Sequence, residues 1–188
     1  MDLERFAQRL KATLSPDRFQ HSLSVMELSR KLATLYQIPE IPVAVAGLLH
    51  DVAREVPPQE LLKLAGHYKL PLSDVEKRVP VMIHGRVGAL LLKREWGIED
   101  ETILEAVALH VTGAPEMNKI SQVIMIADFA EPGRRHFSAR IARELALVNR
   151  LTALRYIYDQ KIKYIIDSGF LLHPLTAEAR NWFLLDEV

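Results

Sequence analysis

Apolar residues return every three to four positions along most of the chain, and no convincing apolar–polar alternation replaces that rhythm. Leu3, Phe6, Leu10 and Leu14 mark a short amphipathic first helix. Ser15-Pro16 reads as a cap followed by proline at the first helical position, and the helix it opens runs to about Tyr36. There His21, Val25, Leu28 and Leu32 share one face, so His21 looks inward with the apolar stripe. Pro39 and Pro42 open IPVAVAGLLHDVARE, apolar on nearly all sides up to His50, which predicts a central buried helix. Pro57-Pro58 ends it, and QELLKLAGHY gives another short helix. A less regular stretch through Pro71 and Pro80 leads into VMIHGRVGALLLKREW, closed by Gly97. Asp100 and Glu101 suit the N-terminus of DETILEAVALHV, which Gly113 closes. NKISQVIMIADFAE follows, stopped by Pro132-Gly133, and two or three further helices complete the chain. No repeat, low-complexity tract or linker divides it, so the pattern predicts one all-α domain over residues 1–188, a helical bundle.

Composition narrows what such a bundle can do. The 188 residues suffice for one sizeable core and are short for two domains. Lys+Arg and Asp+Glu balance at 24 each, so nucleic-acid binding has no compositional support, although a local basic patch can still hold a phosphate ligand. The absence of cysteine excludes disulfides, thiolate metal sites and cysteine nucleophiles, and it fits a cytoplasmic location. MDLERFAQRL lacks a signal-peptide core. The longest apolar stretch, around Ile41–Leu49, falls far short of the ~20 residues that span a bilayer, so a soluble protein without a membrane partner is expected.

Candidate chemistry lies in ionisable residues at apolar positions. His50-Asp51 ends the most apolar helix, and His21 lies on the inner face of the helix before it. His84 follows Val81-Met82-Ile83, His110 lines up with Ile103 and Val107, and Asp128 follows Val123-Ile124-Met125-Ile126-Ala127. Desolvating such groups is costly unless they are paired or bound to metal. A single inward histidine is ordinarily a hydrogen-bonded core residue, but a metal-free core would have to satisfy all six groups. Imidazole and carboxylate ligands suit Fe, Mn, Zn or Co, and three or four ligands per ion leave positions open for water and a phosphate oxygen.

The order H…HD…H…H…D, with LLHD at its centre, resembles the defining motif of the HD superfamily of metal-dependent phosphohydrolases. RFQHSLSV, AGLLHDVAR, IHGRVGA, ILEAVALHVTG, IADFAEPGR and LLHPLTAEARN are similar to the YqeK family, the symmetrical diadenosine tetraphosphate hydrolases, over nearly the whole chain. The resemblance implies a single HD domain, with a metal-binding core at about 16–135 and C-terminal helices at about 138–185 packing on it. It implies one ion held by His21, His50, Asp51 and Asp128, and a second held by His84 and His110 with Asp51 bridging. Iron is the metal it points to; Mn, Co and Zn stay open, as does the choice between one ion and two.

By the same resemblance Arg134, after Glu131-Pro132, is a phosphate clamp, and Arg54 occupies a position where the family usually has Lys. Arg54 is read equally well as a solvated helix-end cation, and Arg86 as facing solvent. Thr112 and Gly113 match a His-x-Thr-Gly segment expected to line the substrate pocket, while Gly113 also works as a helix terminator. His67, His136 and His173 are set aside as surface or packing residues. The chain departs from the pattern at Arg54, Val111, Gln122 and Phe137–Ala139, none of them an expected ligand.

The expected activity is cleavage of diadenosine tetraphosphate into two ADP by metal-activated water, with Asp51 or a water moving the proton and Arg134 and Arg54 stabilising phosphate charge. Rival expectations are an HD nucleotidase or alarmone phosphohydrolase, an iron-dependent HD-fold oxygenase, and a non-catalytic nucleotide-binding sensor. Oligomeric state is left open.

Overall fold

The computed structural model describes residues 2–185, so the extreme ends of the expected 1–188 domain lie outside the described residues. Every regular element among them is helical: α1 (Leu3–Lys11), α2 (Pro16–Leu35), α3 (Glu40–Leu49), α4 (Pro58–His67), α5 (Asp74–Arg78), α6 (His84–Glu95), α7 (Glu101–Leu109), α8 (Lys119–Ala130), α9 (Phe137–Val148), α10 (Arg150–Asp167) and α11 (Pro174–Leu185), with a 3-10 turn at Pro80–Ile83 before α6. Side-chain caps start several of them. Ser15 accepts from the Arg18 N–H at α2, Asn118 from Ser121 at α8, and Asn149 from Thr152 at α10.

Two helices form the middle of the molecule. In α3 every residue from Val43 to Leu49 is buried, and in α8 every residue from Ile120 to Ala127. A helix buried on all sides needs neighbours on all sides. α2, α7 and α8 pack on α3, while α2, α3, α7, α9 and α10 surround α8. α10 also carries α9 and α11. No described helix is long and apolar enough to cross a membrane.

The expected central helix is shorter than its pattern. α3 stops at Leu49, and residues 50–55 run through successive turns with bonds such as Val52 N–H to Leu49 O (3.1 Å) and Arg54 N–H to Asp51 O (2.9 Å). The cause lies in His50 itself. Its Nδ1–H donates to the Gly47 carbonyl at 2.8 Å, the carbonyl a continuing helix would offer to the Asp51 N–H. α7 ends the same way: His110 Nδ1–H donates to Val107 O at 2.8 Å, one residue past Leu109.

Candidate metal centre

These helix-end histidines converge on one point. His50 caps α3, His84 starts α6 and His110 caps α7, while His21 comes from the inner face of α2 and Asp128 from the last turn of α8. Close helix approach makes this possible. A Cβ on Gly85 would lie 2.7 Å from the Val107 carbonyl oxygen, so only glycine lets α6 settle on α7 and bring the His84 and His110 rings to 4.9 Å between centroids.

The tautomers of three histidines follow from their partners. His50, His84 and His110 each direct Nδ1 at a backbone carbonyl, of Gly47, Val81 and Val107, at 2.8, 2.6 and 2.8 Å. A carbonyl only accepts, so Nδ1 carries the proton and Nε2 of each neutral ring is a lone pair facing the centre. The fourth ring is oriented differently: His21 Nδ1 lies 3.2 Å from Glu131 Oε1 and Nε2 lies 3.0 Å from Asp128 Oδ1. Glu131 is itself buried and accepts the Gly133 N–H, so it is a fixed second partner for His21.

Asp51 stands between two groups of histidines. Its Oδ1 faces His84 Nε2 at 3.1 Å and His110 Nε2 at 3.5 Å; its Oδ2 faces His50 Nε2 at 3.5 Å and His21 Nε2 at 3.8 Å. Asp128 Oδ1 adds His21 at 3.0 Å and His50 at 3.8 Å. Burial opposes the charge on both carboxylates, yet the surrounding imidazoles outweigh it. His50, His110 and His84 hold Asp51 well below the usual carboxylate range; His21 and His50 do the same for Asp128. For His50, burial disfavours protonation, but Asp51, then Asp128 and the Gly47 carbonyl prevail and raise its pKa to about 9, so that without an ion the carboxylates draw onto Nε2 a proton that a bound metal would displace. His110 moves the other way, lowered by its burial and by the neighbouring His84 and His50.

Two features call for a cation here. His50 Nε2 is fully buried with no hydrogen-bond partner. His84 Nε2 and His110 Nε2 sit 3.0 Å apart with both Nδ1 protons already committed, so two lone pairs face each other. Bound at about 2.0–2.1 Å, ligand atoms on one ion lie roughly 3–3.5 Å from each other, matching the Asp51, His84 and His110 spacings. Three overlapping triplets have their donor atoms within 4.8 Å of one another: His21, His50 and Asp51; His50, His110 and Asp128; and Asp51, His84 and His110. The donor set fits a borderline transition metal.

A cleft of about 220 Å³ opens onto this cluster, lined by Asp51, His84, His110 and Asp128 and by a cationic rim of Arg18, Arg54, Arg134 and Lys161. Arg54 and Arg134 are thus brought to it. Arg134 Nη2 donates to Asp128 Oδ1 at 3.0 Å while its side chain stays 40% exposed, at the mouth. Thr112 and Gly113 are not among the residues lining the cleft. The Thr112 hydroxyl donates to Gly113 O, and Gly113, at φ +70°, lies so close to Tyr158 of α10 that a Cβ would fall 1.8 Å from the phenol oxygen. Arg86, expected at the surface, instead pairs with buried Glu76 at 2.7 Å and with the Pro71 carbonyl. Gln122 braces α8 against Arg150, and His173 packs beside Ser73 and Glu76.

Sequence reasoning missed three residues. Arg18 donates to Asp51 Oδ2 at 2.9 Å; it lies three residues before His21, a spacing that already placed it on the same helix face. Glu131 carried a signal only as a neighbour of Arg134. Lys161 has no local signal, because α10 brings it in from the far end of the chain, where Nζ donates to Val111 O at 2.9 Å.

A family model described as the HD domain matches residues 18–133, well over half the chain. The chain belongs to the HD-domain family. This HD-domain chain is 30% identical over 186 residues to the "Bis(5'-nucleosyl)-tetraphosphatase, symmetrical" of Staphylococcus aureus, covering 97% of this chain and 95% of that one. To the protein of the same description from Bacillus subtilis it is 28% identical over 184 residues, 98% of each. A crystal structure from Clostridium acetobutylicum, described as a "predicted HD superfamily hydrolase involved in NAD metabolism", superposes with a TM-score of 0.95 at 33% identity over 99% of this chain and 98% of that one. The HD domain and the buried histidine–aspartate cluster are together consistent with binding of a divalent metal.

Proposed function

We propose that this chain hydrolyses diadenosine tetraphosphate symmetrically, giving two ADP. The observation that carries the reading is the histidine–aspartate cluster opening into a cleft rimmed by Arg18, Arg54, Arg134 and Lys161, in a chain similar along its whole length to symmetrical tetraphosphatases. His21, His50, Asp51 and Asp128 would hold one ion, and His84 and His110 a second shared through Asp51. The two faces of the Asp51 carboxylate support this division, since each oxygen looks at a different pair of histidines. Iron is the metal we assign, with Mn, Co and Zn compatible with the same nitrogen and oxygen donors. Such ions supply Lewis-acid activation of water and of the phosphate oxygens.

The remaining work falls to side chains of this chain. Arg18, Arg54, Arg134 and Lys161 around the cleft bind the negatively charged phosphate chain and stabilise charge that builds up on it during P–O cleavage. Glu131 holds the His21 ring in place, and the carbonyls of Gly47, Val81 and Val107 hold the other three. Asp51, kept ionised by its histidines, would serve as the carboxylate common to both ions. Held so far below the usual carboxylate range it is a weak proton acceptor, which leaves the proton of the attacking water to a second water. Thr112 and Gly113 serve by shaping the chain after His110. The whole chain acts as one domain in this reading, because a residue of α10 completes the rim.

Product analysis in oxygen-18 water tests the reading. Two ADP per substrate, one of them labelled, is the expected result. AMP plus ATP, or turnover of mononucleotides alone, would overturn it.

A further inference from the structure

α8 carries Asp128 in its last turn and breaks off at Ala130, where Glu131 turns to extended backbone (φ −57°, ψ 152°) ahead of Pro132. A helix end is ordinarily closed by N–H groups of the next two residues, which bond back to its last carbonyls. Neither is on offer here. Pro132 has no N–H, and the Gly133 N–H is taken by the Glu131 carboxylate. Ala130 and Glu131 are both buried, so an unpaired carbonyl at either would be costly.

The missing donors come from α9. Arg143 Nε donates to Ala130 O at 2.6 Å and Nη2 to Glu131 O at 2.9 Å, so one planar guanidinium spans the two carbonyls that end the helix. The side chains of this same stretch meet His21. Glu131 Oε1 lies 3.2 Å from His21 Nδ1 and Asp128 Oδ1 lies 3.0 Å from Nε2, so both ring nitrogens have their closest partners at the end of α8. The turn wraps closely round the first of them: a Cβ on Gly133 would lie 2.9 Å from both Glu131 carboxylate oxygens. His50, His84 and His110 lean on nearby carbonyls of their own stretch of chain, whereas His21 depends on where the end of α8 points.

We propose that Arg143 is a positioning residue for the His21 side of the metal centre, fixing the Ala130 and Glu131 carbonyls and thereby the direction of Asp128 and Glu131. The inference rests on the two-ion division above, since it ties Arg143 to the ion of His21, His50, Asp51 and Asp128 and not to that of His84 and His110. A cation at a helix C-terminus stabilises the helix through its charge alone. Geometry is set by the two-pronged guanidinium, which a single ammonium does not reproduce.

Chelator competition on the cobalt-loaded full chain, followed by the visible absorption of bound Co2+ and run beside thermal unfolding, tests this. Wild type, Arg143→Met, Arg143→Lys and Ala142→Gly are compared, the last loosening α9 next to Arg143 while keeping the guanidinium. Arg143→Met is expected to release one ion at about tenfold lower chelator, the lower end of what a residue behind the ligands contributes, and the other as in wild type. Carried into His84→Ala protein, which lacks a ligand of the other ion, the same tenfold loss is expected to persist. Arg143→Lys is expected to regain thermal stability without regaining that affinity, and Ala142→Gly to lose stability while holding both ions as in wild type. Both ions shifted alike, neither shifted, an equal shift in Ala142→Gly, or affinity and stability recovering together in Arg143→Lys would overturn the inference. Should wild type release a single ion, the two-ion division falls, and Arg143 keeps its role only if Arg143→Met weakens that ion and Ala142→Gly does not.

Discussion

The floor of the site and its outer wall are built on opposite principles. On the floor, His50, His84 and His110 are buried, and each ring is tied to a carbonyl three residues before it in its own stretch of chain. On the wall, Arg134 and Lys161 are long, partly exposed side chains, and Lys161 is tethered to Val111, fifty positions away. A metal centre needs ligand atoms held to a few tenths of an ångström, and short local tethers within a packed core provide that. A phosphate chain tolerates looser groups, and a solvent-facing wall lets it enter and leave. The contrast predicts that floor substitutions change metal binding and that wall substitutions change substrate binding.

The largest expected effect is on the floor. Asp51→Ala removes the carboxylate whose two oxygens face all four histidines, and it is expected to lose metal and more than about 100-fold in turnover, exceeding the effect of a supporting residue. Elemental analysis alongside rate measurement checks it, with circular dichroism to show that the helices persist. Full metal content and near wild-type turnover would break the comparison at its strongest point.

Glu131→Gln probes the one floor histidine whose tether is a side chain. The amide keeps the shape but loses the charge that steadies His21, so metal affinity is expected to fall about 10- to 100-fold in a chelator competition. No change would mean that His21 is held by Asp128 alone.

On the wall, Lys161→Met should raise the KM for polyphosphate substrate and leave metal content intact. A charge-assisted hydrogen bond to phosphate contributes about 1.5–3 kcal/mol, and the ammonium is already engaged by a carbonyl, so the lower end of that range, roughly a tenfold change in KM, is expected. Loss of metal in this variant would erase the boundary between floor and wall.

Hydrophobic period and the cost of burying ionisable groups were enough to read an all-α chain and to single out His21, His50, Asp51, His84, His110 and Asp128, which the structure brings together at one point. Both signals are local: a residue's phase on its helix decides whether it faces inward, wherever that helix is later placed. Period alone did not show where α3 ends, because its apolar pattern runs on while the His50 side chain takes up the Gly47 carbonyl. The pairing of Glu131 with His21, the arrival of Lys161 beside Val111, and the packing of Gly113 under Tyr158 were decided only by tertiary structure. Each joins segments far apart in sequence, and α10 shows the reason most plainly. Its own amphipathic pattern says which face packs on α8, but only the docking of helix on helix decides how far along the α8 surface Lys161 reaches.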